Sequence, residues 1–208
     1  FDPASGDVYY RFVSGGFSIG AHSFKDGGTT SPAFAVTVPE GLTLVETAEH
    51  LSEKGVADRD ALVRAYSDTS HIAALDPDAT NLEGYLFPTT YQFTRNPEPL
   101  EIARTMAAQF RTLFDDDRRA RSRELGLTPR EVVTLASVIE KETGATQERP
   151  LIGSVFWNRL KRGMPLGSDP TIIYALKLEG RFDGNLRRVD LELDSPYNTY
   201  RFAGLPPG

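Results

Sequence analysis

Two glutamates one residue apart, Glu140 and Glu142, stand near the end of a run from Thr128 to Thr143 whose spacing predicts a helix. At about 100° per residue, Val132, Leu135, Ala136 and Ile139 form its apolar stripe, and Arg130, Thr134, Ser137 and Lys141 lie opposite. Glu142 falls at one edge of that stripe, near Leu135, and Glu140 at the other, near Val133. A carboxylate at such an edge is partly withdrawn from water, which favours its protonated form and suits a general acid working near neutral pH. On periodicity alone the position better suits a helix-end acid paired with a nearby arginine such as Arg149 or Arg159, and the wheel by itself does not establish a catalytic role. Polar side chains crowd the chain that follows: Arg149, Asn158, Arg159, Ser168, Asp169, Thr171, Tyr174, Tyr197, Asn198 and Tyr200. Rings interleaved with amides and hydroxyls suit a saccharide groove, because rings lie against apolar sugar faces while amides bond the hydroxyls. For Trp157 and Tyr174, core packing is the competing reading.

Other chemistries lack their residues. The chain of 208 residues has no cysteine, which excludes a disulfide framework, a thiolate zinc site and a cysteine nucleophile. Its three histidines, His22, His50 and His71, share no metal-binding spacing, so neither a metal nor a cofactor is expected. The net charge is −6 and the basic residues are dispersed, which argues against nucleic acid as a partner. No stretch approaches the roughly 20 apolar residues that span a bilayer. Opening at Phe1 without a targeting segment, and ending at Leu205-Pro206-Pro207-Gly208, the chain reads as a soluble fragment of a longer protein.

The elements that must position these groups can be drawn from local signals. With 39% hydrophobic residues the chain can build one main domain with a smaller lobe. Residues 1–38 read as a β-rich, incomplete lobe: Val8 to Val13 is strand-like, and Phe34, Val36 and Val38 alternate. Residues 39–208 read as the main domain. Thr43 with Glu46 gives a capping box for a helix ending near Gly55, and a short helix follows Asp58 with Leu62, Val63 and Tyr66 inward. The aromatic run from Asn81 to Phe93, broken by Gly84 and Pro88, predicts a packed loop or short strand. One long amphipathic helix is expected from Pro99 to Leu125, with Asp115 to Asp117 at a wet end and Gly126 as its stop. Thr128-Pro129-Arg130-Glu131 is the clearest helix start, a further helix covers Glu148 to Arg162, and another opens with Asp169 as its cap. The class is therefore α+β and mainly helical.

The motifs in order carry a resemblance. Ala136-Ser137-Val138-Ile139-Glu140-Lys141-Glu142-Thr143, Glu148-Arg149, Ser154 to Leu160, Gly163-Met164-Pro165-Leu166, Ser168-Asp169-Pro170-Thr171, Tyr197-Asn198-Thr199-Tyr200 and Gly204 to Gly208 resemble the signature series of the YceG-like family of membrane-anchored endolytic murein transglycosylases. Pro39-Glu40-Gly41 and Leu82 to Pro88 resemble two further blocks, so the likeness runs from about Val38 to the end. Thr89 and Gly167 depart from it, standing where Asp and Gln are common. The resemblance implies that Glu142, before Thr143, is the catalytic acid and base, with Glu140 as second choice. It implies a lytic cleavage of the β-1,4 bond between N-acetylmuramic acid and N-acetylglucosamine that closes a 1,6-anhydro ring. Asn198, Tyr200, Ser168 and Asp169, with Arg149 and Asn158, are expected to hold the glycan. It further implies peptidoglycan strands and peptidoglycan synthases as partners, a single N-terminal membrane helix absent from this chain, a LysM-like lobe of which residues 1–38 would be a remnant, and an extracytoplasmic catalytic domain.

Two rival readings differ in what they require. Such sequences have also been labelled aminodeoxychorismate lyases, which need a pyridoxal-phosphate lysine and a phosphate cradle; no glycine-rich loop lies beside Lys141, Lys161 or Lys177. A non-catalytic peptidoglycan-binding or scaffold module would use the same polar loops with purely structural acids.

Overall fold

The computed structural model describes residues 34–208. Strand β1 (Phe34–Thr37) pairs antiparallel with β2 (Thr90–Phe93), Val36 standing opposite Tyr91. Alternation along β1 turns Val36 into the interior, as the sequence pattern predicts. Among the described residues seven α-helices account for most of the remaining regular structure. The strand-like segment Val8 to Val13, and with it the expected remnant of a LysM-like lobe, lies outside the described residues. β1 itself belongs to the same core as the helices that follow it.

The first lobe is built on α1 (Leu44–Glu53), α2 (Arg59–Ala65) and α3 (Pro99–Leu113). Thr43 and Glu46 form the reciprocal capping box at the start of α1, and the Asp58 carboxylate caps α2 by accepting from the Ala61 amide. Leu51, Leu62, Tyr66, Leu82, Ile102 and Met106 are fully enclosed between these helices and the two strands. Val63, expected inside with Leu62 and Tyr66, is only partly buried. Tyr85 meets Phe110 edge-on at 5.0 Å, and Phe110 stacks on Phe114 at 5.6 Å.

The single helix expected from Pro99 to Leu125 is two. The α3 helix ends before Phe114, and Asp115 turns back to cap a new helix, α4 (Asp116–Leu125), its carboxylate accepting from the Arg118 amide. An aspartate that satisfies a free helix amide starts a helix more effectively than it decorates the end of one. Gly126 then closes α4 with φ +70°.

The second lobe is organised around α5 (Pro129–Glu142), which packs against α6 (Arg149–Lys161) and α7 (Asp169–Leu178). Leu135, Val138 and Ile139 of α5 join Phe156 and Leu166 in a second, smaller core, with Trp157 partly buried against it. Val132 and Val133 face the other way, onto the first core, so α5 is shared by both lobes. Thr134, placed on the outer face by the wheel with Ser137 and Lys141, is buried while those two are exposed, because Gly208 lies against it. Polar links span the seam between the lobes: the Asp76 carboxylate accepts two bonds of 2.8 Å from the Arg130 guanidinium, Arg149 reaches Glu40 at 3.4 Å, and Lys177 reaches Glu46 at 2.5 Å.

Candidate active site

At the C-terminal end of α5 the chain turns into an extended Thr143, and Glu142 stands exposed on the last turn. The capping box at Thr128 fixes where this helix begins and hence the direction in which each later side chain points. Opposite Glu142 lies the start of α7. Its N-cap is Ser168, not Asp169 as expected, and the Ser168 hydroxyl caps nothing: it donates to Glu142 Oε2 at 2.8 Å. Next to it the Tyr200 hydroxyl donates to Asp169 Oδ1 at 2.6 Å. The bond to Asp169, then burial and the negative charges of Asp169 and Glu142, push the Tyr200 phenol up to about 12. Tyr200 is therefore a neutral donor at any physiological pH. Gly167, with φ +59°, lets the chain turn between the Arg159 guanidinium and the Tyr200 ring. Arg159 is held by the Leu166 carbonyl.

Sequence-expected site residues thus divide. Glu142, Ser168, Asp169 and Tyr200 come together. Asn198 is fully enclosed, and its amide is used inside the fold: Nδ2 donates to the Leu191 and Leu193 carbonyls while Oδ1 accepts from the Tyr200 amide at 3.0 Å. It shapes the loop that presents Tyr200. Asn158 is exposed on α6, and no hydrogen bond of its side chain joins it to the cluster among the described residues. Arg149, its side chain only 13% exposed, donates to Glu140 Oε1 at 2.7 Å as well as to Glu40.

The expected withdrawal from water falls on Glu140 alone, since Glu142 is exposed. Burial raises the Glu140 carboxyl, Arg149 opposes that, and the Glu40 charge adds to it. Two residues along a helix is about 200° of rotation, so the neighbours look in different directions. Glu140 looks into a cleft of about 430 Å³ between the lobes, lined also by Glu83, Tyr85, Phe87, Lys141, Pro170, Tyr174 and Tyr197. Tyr174 and Tyr197 meet there edge-on at 5.1 Å. Lys141 and Pro170, the chain neighbours of Glu142 and Asp169, line this cleft, whereas Glu142 and Asp169 themselves do not.

Glu83 escaped the sequence reading as a candidate. Its two oxygens accept from the Leu44 amide at 3.0 Å, and Tyr174 donates to Oε2 at 3.3 Å. Burial raises its carboxyl against these bonds, and the Glu46 charge pushes the same way. Its partners lie 39 and 91 residues away, beyond any local pattern. Its signals were its place in the aromatic run after Asn81 and in the block Leu82 to Pro88 that resembles the family.

A family model described as the YceG-like family matches residues 17–208. The chain belongs to the YceG-like family. It is 36% identical over 196 residues to the endolytic murein transglycosylase of Bacillus subtilis strain 168, covering 87% of this chain and 53% of that relative. It is 34% identical over 215 residues to the endolytic murein transglycosylase of Streptococcus pneumoniae serotype 2 strain D39, covering 88% of this chain and 38% of that one. The chain therefore spans about half the length, or less, of these curated relatives. A crystal structure of a YceG-like protein from Listeria monocytogenes superposes with a TM-score of 0.72 at 30% identity, over 85% of this chain and 62% of the other. The YceG-like match includes both lobes, the seam between them and the Glu142 cluster. Among the described residues no helix is long and apolar enough to cross a membrane.

Proposed function

We propose that the protein is an endolytic peptidoglycan lytic transglycosylase and that Glu142 is its acid and base. The observation that carries this reading is an exposed carboxylate at a helix end, hydrogen-bonded by Ser168 and flanked by the Tyr200–Asp169 pair. The relatives named endolytic murein transglycosylases support the substrate class. Glu140 is the weaker candidate because its carboxylate is tied to Arg149.

In this mechanism Glu142 gives its proton to the oxygen of the β-1,4 bond as the muramyl C1–O bond breaks. The carboxylate then takes the proton of the muramyl C6 hydroxyl, whose oxygen closes on C1 to give the 1,6-anhydro end. A hydrolase needs a second carboxylate to activate water or to act as nucleophile. Here the attacking hydroxyl belongs to the same sugar, and proximity takes the place of the second acid. Tyr200, kept protonated and giving its one proton to Asp169, offers its phenol oxygen as an acceptor for a sugar hydroxyl beside the scissile bond. The tyrosine-lined cleft next to the cluster offers ring faces and hydrogen-bonding edges to the strand. A membrane-anchored, extracytoplasmic setting and contact with synthases belong to the same proposal.

The test uses the full-length protein with Glu142→Gln and Glu140→Gln, incubated with purified glycan strands and analysed for anhydro-ended products by mass spectrometry. Glu142→Gln is expected to lower turnover by at least about 1,000-fold, the upper part of the range for losing a general acid; Glu140→Gln retains measurable turnover. Equal product from wild type and Glu142→Gln overturns the assignment, and strand binding without product from the wild type points to a scaffold module.

A further inference from the structure

Ser168 was expected among the sugar contacts, but it has no surface to offer a sugar. The residue is 0% exposed, and each of its polar groups is engaged within the chain. Its amide donates to Thr199 Oγ1 at 3.0 Å, its carbonyl accepts from Thr171 Oγ1 at 2.7 Å, and the two threonine hydroxyls bond each other at 2.9 Å. Thr171 and Thr199 are buried as well. The network fixes the Ser168 backbone, and with it the direction of its hydroxyl toward Glu142.

A helix N-cap serine ordinarily points its hydroxyl at its own helix amides. At Ser168 that bond is absent, and the hydroxyl is given to a carboxylate 26 residues earlier in the chain. Only Oε2 of Glu142 is taken. Among the described residues Oε1 accepts no hydrogen bond, and Glu142 is exposed. The two oxygens of one carboxylate are therefore distinguished by the fold.

We infer that Ser168 is a positioning residue for Glu142: it anchors Oε2 and leaves Oε1 as the oxygen that gives and takes the proton. The inference rests on Glu142 being the acid and base, and it goes further by naming the working atom. An exposed glutamate samples several rotamers about three side-chain torsions. Anchoring one oxygen through a buried, backbone-locked donor removes most of them while the other oxygen keeps its access. The Ser168 hydroxyl stays a donor to Oε2 in both halves of the cycle, whether Oε1 carries the proton or not, so it is not consumed.

The experiment is kinetic, in the full-length protein on uncrosslinked glycan strands, with Glu142→Gln measured in parallel. Ser168→Thr and Ser168→Val are nearly the same shape and differ in the hydroxyl, so any packing cost is shared; Ser168→Ala removes the hydroxyl without adding bulk. For Ser168→Ala, kcat is expected to fall by about 10- to 100-fold, as for a misplaced catalytic group, while KM stays within about two-fold. Ser168→Thr is expected to exceed Ser168→Val in kcat by a similar factor. Equal kcat for the Thr and Val variants, or wild-type kcat for Ser168→Ala while Glu142→Gln is inactive, overturns the positioning role alone. A loss confined to KM makes Ser168 a sugar contact and also overturns it. An active Glu142→Gln overturns the assignment of Glu142, and this inference with it.

Discussion

Glu83 meets the seam with a carboxylate that two lobes share, one through the Leu44 amide and the other through Tyr174. Burial outweighs both bonds and raises its carboxyl above the usual glutamate range, with Glu46 adding its charge. The folded chain therefore holds this proton more tightly than the unfolded chain, whose glutamates titrate near about 4.3. The stability contributed by this group is full below that pH and is lost as the pH rises through the folded value. Glu83→Gln keeps an acceptor for Leu44 but cannot ionise. Urea unfolding at about pH 4.5 and about pH 7 is expected to show a smaller loss of stability on going up in pH for the variant than for the wild type. Identical changes would mean that Glu83 is not the group responsible.

Elements meet more closely at Gly84 than any side chain permits. Its φ is +79°, and a Cβ there would stand 2.6 Å from Val133 Cγ1 on α5. Gly84→Ala is expected to destabilise the protein by about 2 kcal/mol or more, from a left-handed backbone and overpacking together. Adding Val133→Ala should return the steric part and leave the backbone part, so thermal unfolding of the two single variants and the double variant separates them. Nothing in the spacing of Leu82-Glu83-Gly84-Tyr85 announces that contact; a glycine in an aromatic run says only that the chain turns. Elements whose signals are local were legible. The capping boxes of α1 and α5, the Asp58 cap and the alternation along β1 each follow from residues within one turn or one strand. The break at Phe114 was missed because Asp115 reads equally as a wet helix end and as a cap until the Arg118 amide is seen against it. Ser168 and Asn198 were read as sugar ligands because a polar residue in a polar loop carries no sign of being enclosed. What encloses Ser168, the hydroxyls of Thr171 and Thr199, comes partly from 31 residues further on.

Over the whole molecule, the buried end of the seam is the Asp76–Arg130 pair. Asp76 is 6% exposed and also accepts from the Tyr85 hydroxyl at 2.7 Å. Burial alone would raise its carboxyl, but the Arg130 and Tyr85 bonds outweigh burial and hold it below the usual range. Asp76→Asn should cost about 2 to 3 kcal/mol in chemical unfolding, below the full range for breaking a buried pair because Arg130 keeps some access to water. A loss under about 0.5 kcal/mol would make the link a surface ornament. The outer links, Glu46–Lys177 and Glu40–Arg149, are wetter and less able to hold the lobes on their own. The helix that serves both lobes carries a consequence for how such a chain can change over time. An extra or missing residue between Thr128 and Val138 would swing everything beyond it through about 100°, carrying Val138 and Ile139 off their core and Glu142 away from Ser168 at one stroke. Single replacements along α5 are repairable by neighbours, whereas its length is not, so the helix works as an axle cut to size, and lineages built on it can vary its lettering but not its count.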